Sequence, residues 1–328
     1  MLRGWLRSGR GDALIPRAPG GVYASTVPMD GELRDFPDPF VFRSADGRWY
    51  AYATGSGFCA AQVASSPDGV NWHWERDPFD GGGSEWATLF GFTWAPTVLE
   101  RPDNHPSRRY VMYYAARSES LGTQCIGRAA ASSPIGPFFD DASQPLICQR
   151  SEIWSIDPSP YVAADGSTHL VWCSGNPTTK SHIWSRPLDP SGLSFVDGTK
   201  PAKIVTCERR TWEYPIIEGP AMMPDPNGGV LLFYSGSSWP TSNYGTGVAR
   251  CECPAGPCQR VYTTALLSSR DTMMGPGGGT PFPDGAGGWS FAFHAWESPH
   301  VGYDRFGRGK RSLRILPITF DEGLPKIG

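Results

Sequence analysis

The sequence predicts an all-β fold, and within that class a five-bladed β-propeller with about sixty residues to a blade. Three observations carry this. The first is composition: among 328 residues there are 40 Gly, 32 Pro, 13 Trp, 12 Tyr and 16 Phe, with only 19% charged residues, which suits many short strands joined by tight turns. The second is the absence of any sustained apolar pattern at helical spacing, or of a run approaching the roughly 18 apolar residues of a membrane span. The third is an internal repeat.

The repeat is read most easily from its central element, a run of aromatic and small residues. It occurs as W-Y-A-Y-A-T-G from Trp49, Y-V-M-Y-Y-A-A from Tyr110, H-L-V-W-C-S-G from His169, V-L-L-F-Y-S-G from Val230 and F-A-F-H-A-W from Phe291. With Tyr52, Tyr113, Trp172, Phe233 and Phe293 taken as equivalent, the steps are 61, 59, 61 and 60 residues. Upstream of each copy stands a proline (Pro39, Pro96, Pro158, Pro220, Pro276), followed in most copies by a short apolar run and a turn such as A-D-G, P-N-G or P-D-G. Downstream stands a third element, clear in A-S-S-P-D-G from Ala64 and A-S-S-P-I-G from Ala131 and looser around Pro187, Pro254 and Pro317. Each unit therefore holds at least three strands with room for a fourth. Five units that cannot bury both faces alone would stack radially around a channel; a linear β-solenoid uses much shorter rungs. Residues 35–328 are expected to form the propeller, with 1–34 an extension able to add a closing strand.

In such a fold the first strand of each blade lines the axis, so equivalent residues meet although they lie far apart in sequence. At the proline-marked strand the first unit offers Asp38 in D-F-P-D-P-F, the third Asp157 in S-I-D-P-S-P and the fourth Glu218 in I-I-E-G-P. The second offers Trp94 in T-W-A-P-T, and the fifth a glycine-rich G-P-G-G-G from Gly275. A single Asp before Pro is ordinarily a turn residue. Three acids at matching positions are different, because crowded carboxylates raise one another's proton affinity at a cost in stability. Glycosidic cleavage requires such a set: a protonated acid for the leaving oxygen and an ionised base to activate water on the opposite face.

Taken together, D-F-P-D-P-F-V with W-Y-A-Y-A-T, T-W-A-P-T-V, I-D-P-S-P-Y-V-A-A-D-G with L-V-W, I-E-G-P with L-L-F-Y-S-G, and F-H-A-W resemble the motifs of family 43 glycoside hydrolases, from about Asp35 to the carboxy terminus. The resemblance implies a five-bladed propeller, inversion at the anomeric carbon, and a role for each acid: Asp38 as general base, Asp157 as the residue that orients and tunes the acid, and Glu218 as general acid. It implies plant cell-wall pentosans as substrates, in poly- or oligosaccharide form. α-L-Arabinofuranosyl linkages are favoured over β-D-xylosides, since many xylosidases carry a further β-sandwich after the propeller and this sequence ends soon after its fifth repeat. It also points to an extracellular protein, although M-L-R-G-W-L-R-S-G-R-G has no apolar core of a secretory signal. Fructan hydrolases of families 32 and 68 share the architecture, but their N-D-P-N-G and E-C patterns are absent. A carbohydrate-binding propeller without catalysis would have no need of all three acids.

The remaining expectations concern single residues. Asp35 precedes the axial strand and is a poorer base than Asp38. Trp94 is expected to stack on a sugar ring, with Phe58 and Trp154 as further candidates. His294 lies in an apolar strand and suits a core position; in the family's Y-H-A-W-like motif a histidine can approach a calcium ion or water cluster on the axis, although G-P-G-G-G replaces the G-P-G-H pattern here. The chemistry itself requires no cofactor, Ca2+ near the axis being the one candidate. Eight cysteines suit disulfides: Cys125 and Cys148 flank a turn region, and Cys251, Cys253 and Cys258 cluster without the CxxC spacing of a zinc site. A net charge of −3, with basic residues scattered outside Arg308–Arg314, gives no field for nucleic acid, and no membrane segment is evident. A monomer is expected.

Overall fold

A computed structural model describes residues 26–328 apart from 33, 57–58, 81–83, 90–92, 176–179 and 307. The described residues contain strands and no helix, in four sheets whose neighbours are antiparallel in every pair but one. The first sheet is β1 (Phe40–Arg43), β2 (Trp49–Ser56), β3 (Cys59–Ser66) and β4 (His73–Trp74), in that order. A second group, β5 (Trp94–Glu100), β6 (Tyr110–Ser118) and β7 (Thr123–Ala131), is joined through one parallel pair, Gln124 with Trp154, to a third. The third is β8 (Trp154–Val162), β9 (Thr168–Gly175), β10 (Ser181–Leu188) and β11 (Ala202–Thr206). The fourth is β12 (Ile217–Pro224), β13 (Val230–Gly236), β14 (Gly245–Cys251) and β15 (Cys258–Arg260). The last is β16 (Met273–Pro283), β17 (Trp289–Glu297), β18 (Arg311–Asp321) and β19 (Leu324–Ile327).

The second strand of each group is apolar along nearly its whole length because both its faces are covered: β2, β6 and β13 are buried almost throughout. The core accordingly lies between groups rather than within one. Tyr50, Tyr52, Tyr110, Met112 and Tyr114 pack the first group on the second. Val41, Trp49, Phe282, Ala292 and Leu313 pack the first on the last, with Met29 and Phe36 filling the seam. Across this seam the amide of Val27 bonds the carbonyl of Leu313, and that of Asp30 the carbonyl of Trp72. The leading strands approach one another in series, β1 with β5, β5 with β8, β8 with β12, β12 with β16, and β16 with β1.

Register refines the repeat. Phe40 pairs Tyr52, Thr97 pairs Tyr113 and Ala221 pairs Phe233, but Ser159 pairs Val171 and Thr280 pairs Ala292. The third and fifth copies are thus aligned one residue ahead of Trp172 and Phe293. In the fifth copy Gly279, not Pro276, takes the place of the proline, because β16 carries a second irregularity between Met274 and Gly277.

Two disulfides are present, Cys125–Cys148 and Cys251–Cys258; Cys59, Cys173 and Cys207 are buried free thiols and Cys253 an exposed one. Since Cys251 is bonded to Cys258, the clustered cysteines do not form a zinc site.

Candidate active site

Each leading strand, or the segment that enters it, bulges at one matching place. Opposite the two-residue step from Thr54 to Tyr52 the chain takes three residues, Pro37 to Phe40, and the same extra residue occurs between Trp94 and Thr97, Ile156 and Ser159, Glu218 and Ala221, and Gly277 and Thr280. The middle residues of these bulges are Asp38, Ala95, Asp157, Gly219 and Gly278, and all five have left-handed backbone, with φ of 54°, 43°, 54°, 58° and 57°. Asp tolerates that region and Gly is free to enter it, whereas Ala95 is strained there.

A bulge turns two consecutive side chains away from normal alternation. This corrects the simple equivalence of the three acids. Asp38 and Asp157 occupy the middle of their bulges, while Glu218 stands one residue earlier, level with Trp94 and Ile156. Both positions nonetheless deliver side chains to one cavity of about 330 Å3, lined by Asp38, Thr54, Trp94, Asp157, Glu218, Trp239, Tyr303 and Arg311 among others. That volume falls in the small-ligand range. Beneath it a space of about 20 Å3 continues between Thr97, Ser159 and Thr280, room for about one water.

The three carboxylates have unlike surroundings. Asp38 is ringed by donors. The Thr54 hydroxyl donates to Oδ2 at 2.6 Å, and because Thr54 Oγ1 already accepts the Ala95 amide at 2.9 Å, its one proton must point at the carboxylate. Arg311 Nη1 lies 3.8 Å from Oδ1. Asp157 Oδ2 accepts the Gly219 amide at 2.9 Å, yet burial, followed by repulsion from Glu218 and Asp38, holds its carboxyl well above the usual range. Glu218 Oε1 accepts from the Tyr244 hydroxyl at 2.7 Å; burial and Asp38 outweigh this bond and Arg311, pushing Glu218 up to about 7. Asp157 and Glu218 therefore retain a proton between them near neutrality.

Arg311 is the single guanidinium lining this cavity among the described residues, and in the sequence it stands within the basic Arg308–Arg314 cluster. Its carbon lies 4.7 Å from the Trp239 ring and 5.4 Å from those of Trp296 and Tyr303, a box that confines the charge beside Asp38. Asp35 anchors the box: Oδ1 accepts the Arg311 amide and Oδ2 the Tyr303 hydroxyl, both at 2.7 Å. Nothing in the sequence sets Arg311 apart from Arg314, which lies in the same strand. Trp239 and Tyr303 lie in turns that no repeat marks.

Of the expected sugar-binding residues, Trp94 reaches the cavity and is 37% exposed, free to offer a ring face. Trp154, at the start of β8, packs against Ala115 of β6, Ile156 of its own strand and Cys173 of β9, and does not line the cavity. Phe58 lies outside the described residues.

His294 is fully buried, and its Nδ1 accepts the Asp38 amide at 2.9 Å. An amide can only donate, so Nδ1 carries the lone pair and Nε2 the proton, and Nε2 has no hydrogen-bond partner. In this tautomer Nε2 can donate to water but cannot ligate a cation directly. The expected calcium role of His294 does not fit, and among the described residues no group of three or more His, Cys, Asp or Glu is arranged to hold a metal.

Asp157→Asn would retain the acceptor for Gly219 while removing the carboxyl that shares a proton with Glu218. The last proton, then held by Glu218 alone without a second carboxylate to repel, would leave at lower pH, so the basic limb of kcat/KM is expected to move down by on the order of one pH unit. A lowered rate with an unmoved limb would reduce Asp157 to a purely steric role.

The chain is similar to known glycoside hydrolases in sequence and in fold. The arabinan endo-1,5-α-L-arabinosidase C of Emericella nidulans is 23% identical over 93% of this chain and 95% of its own length. The arabinoxylan arabinofuranohydrolase of Bacillus subtilis is 30% identical over 139 residues, 38% of this chain but only 26% of that protein's length. A crystal structure of a thermostable family-43 glycoside hydrolase superposes with a TM-score of 0.78 at 23% identity, covering 93% of this chain and 96% of the other. The model of glycosyl hydrolases family 43 matches residues 33–325, from just before Asp35 through β18, and the chain belongs to that family of glycoside hydrolases.

Proposed function

We propose that this chain hydrolyses α-L-arabinofuranosyl linkages of plant cell-wall poly- or oligosaccharides, with inversion, in a closed five-bladed propeller spanning residues 35–328. The observation that carries the mechanism is the unlike treatment of the acids. Asp38 sits among donors and accepts a proton from the attacking water, whose oxygen bonds to the anomeric carbon. Glu218, protonated to about pH 7, gives its proton to the glycosidic oxygen as that bond breaks. Asp157, whose Oδ2 accepts the amide of Gly219 next to Glu218, shares the proton of the buried pair and so orients and tunes the acid. Both proton transfers are supplied by side chains, so the chemistry needs no metal.

The propeller reading is supported by the serial approach of the five leading strands and by the apolar seam between first and last groups. Residues 26–32, bridging Leu313 and Trp72, would be the part of the 1–34 extension that fastens the seam. The choice of arabinose follows the names of the Emericella and Bacillus relatives. Two disulfides suit an oxidising, extracellular compartment.

The test is release of arabinose from arabinan against xylose from xylo-oligosaccharides, with proton NMR of the sugar formed first. Arabinose of inverted configuration is expected. Preferential xylose release would make the chain a β-D-xylosidase, and a retained anomer would remove Asp38 as base.

A further inference from the structure

The bulges leave their middle amides turned off the strand ladder, and the structure captures them in a repeated way. Ala95 N–H bonds Thr54 Oγ1 at 2.9 Å, Gly278 N–H bonds Ser235 Oγ at 2.8 Å, and Asp38 N–H bonds His294 Nδ1 at 2.9 Å. Register makes the three acceptors equivalent. Thr54, Ser235 and His294 each lie two residues beyond the partner of the residue that follows the bulge: Tyr52, Phe233 and Ala292. Each comes from the group preceding the amide it holds, and for Asp38 the preceding group is the last one in the chain. His294 thus occupies a place that in the first and fourth groups holds a hydroxyl acceptor, and that is taken by Ala115 in the second and Cys173 in the third.

The place is narrow. His294 lies parallel to Tyr244, with ring centroids 5.9 Å apart and 6° between planes, and Tyr244 in turn donates to Glu218. A Cβ at Gly278 would lie 2.5 Å from His294 Cε1 and 2.7 Å from Asp38 Oδ1. Nδ1 also stands 3.4 Å from Asp38 Oδ1, farther than from the amide, so the amide sets the tautomer.

We propose that His294 is a positioning residue for Asp38: through Nδ1, as the neutral Nε2–H tautomer, it holds the left-handed backbone that aims the carboxylate, and it does not act as a cation ligand. The proposal rests on Asp38 being the base only for its kinetic arm. Two short amides separate the possible roles, since Asn places an oxygen near Nδ1 and Gln places one near Nε2.

His294→Ala is expected to lose about 100-fold in kcat with KM little changed, the scale of a displaced catalytic group. His294→Asn should recover to within about fivefold of the parent, and His294→Gln should behave as Ala. EDTA and added Ca2+ should leave the parent's kcat unmoved. Gln rescuing better than Asn, an Ala variant as fast as the parent, or activity lost to EDTA and restored by Ca2+ would each overturn the proposal. An arm independent of catalysis is the nitrogen-15 spectrum of the imidazole in the parent protein: a neutral Nε2–H ring from pH 5 to 8 is expected, and an Nδ1–H ring would overturn it even if the substrate assignment holds. Failure of the parent on every glycoside would instead sink the assignment of Asp38 and leave the spectrum to judge His294.

Discussion

Asp38→Asn is expected to lower kcat by about 10⁴-fold on every substrate, the upper end of what a general acid–base residue contributes. Asn retains an oxygen for the Thr54 hydroxyl and nearly the same shape, so the loss isolates basicity. In an inverting reaction water must attack whichever group departs, and activating the leaving group cannot compensate. Rates on an aryl arabinofuranoside with a dinitrophenyl leaving group and on arabino-oligosaccharides should therefore fall together, with the melting temperature monitored to exclude unfolding. Substantial turnover in the variant would place the base elsewhere.

Glu218→Gln is expected to behave in the opposite way. Rates on arabino-oligosaccharides, whose leaving alcohol needs a proton, should fall about 10³-fold, while a dinitrophenyl glycoside should lose less than about tenfold. The pH dependence has a definite sign. Glu218 works in its protonated form and is raised to about 7, so kcat/KM of the parent is full below that value and declines as pH rises through it. In the Gln variant this basic limb should vanish with the activated substrate. Gln still accepts from Tyr244, so the loss is not one of placement. Equal losses on both substrates would give Glu218 another role.

Much of this was legible in the sequence for one physical reason: strands buried on both faces must be apolar and must recur wherever the same packing recurs. The sixty-residue spacing of Tyr52, Tyr113 and Phe233 exposed the repeat, and with it the convergence of Asp38, Asp157 and Glu218 on one cavity. The offset of Glu218 was hidden, because a bulge inserts a residue without any composition of its own, and Gly219 before Pro220 resembles Asp before Pro only once φ is known. Arg311 and Tyr303 were hidden because their partners lie some 270 residues away at Asp35 and Asp38. His294 was visible as a residue, but which nitrogen faces the Asp38 amide is a matter of three-dimensional register.

The glycine at 278 carries a lesson about how duplicated units come to differ. Five copies of one strand would surround a sugar with five identical groups, with nothing to set an acid apart from a base. Here the copies at Ala95 and Gly278 have given up functional side chains, and at Gly278 the vacated volume is taken by the base and its supporting imidazole, so even a methyl would collide with them. Asymmetry in this protein is reached by subtraction. The copy that contributes no chemistry is then the one with the least freedom to vary, and attempts to diversify the pocket by randomising its bulges should meet most resistance at the position that looks most dispensable.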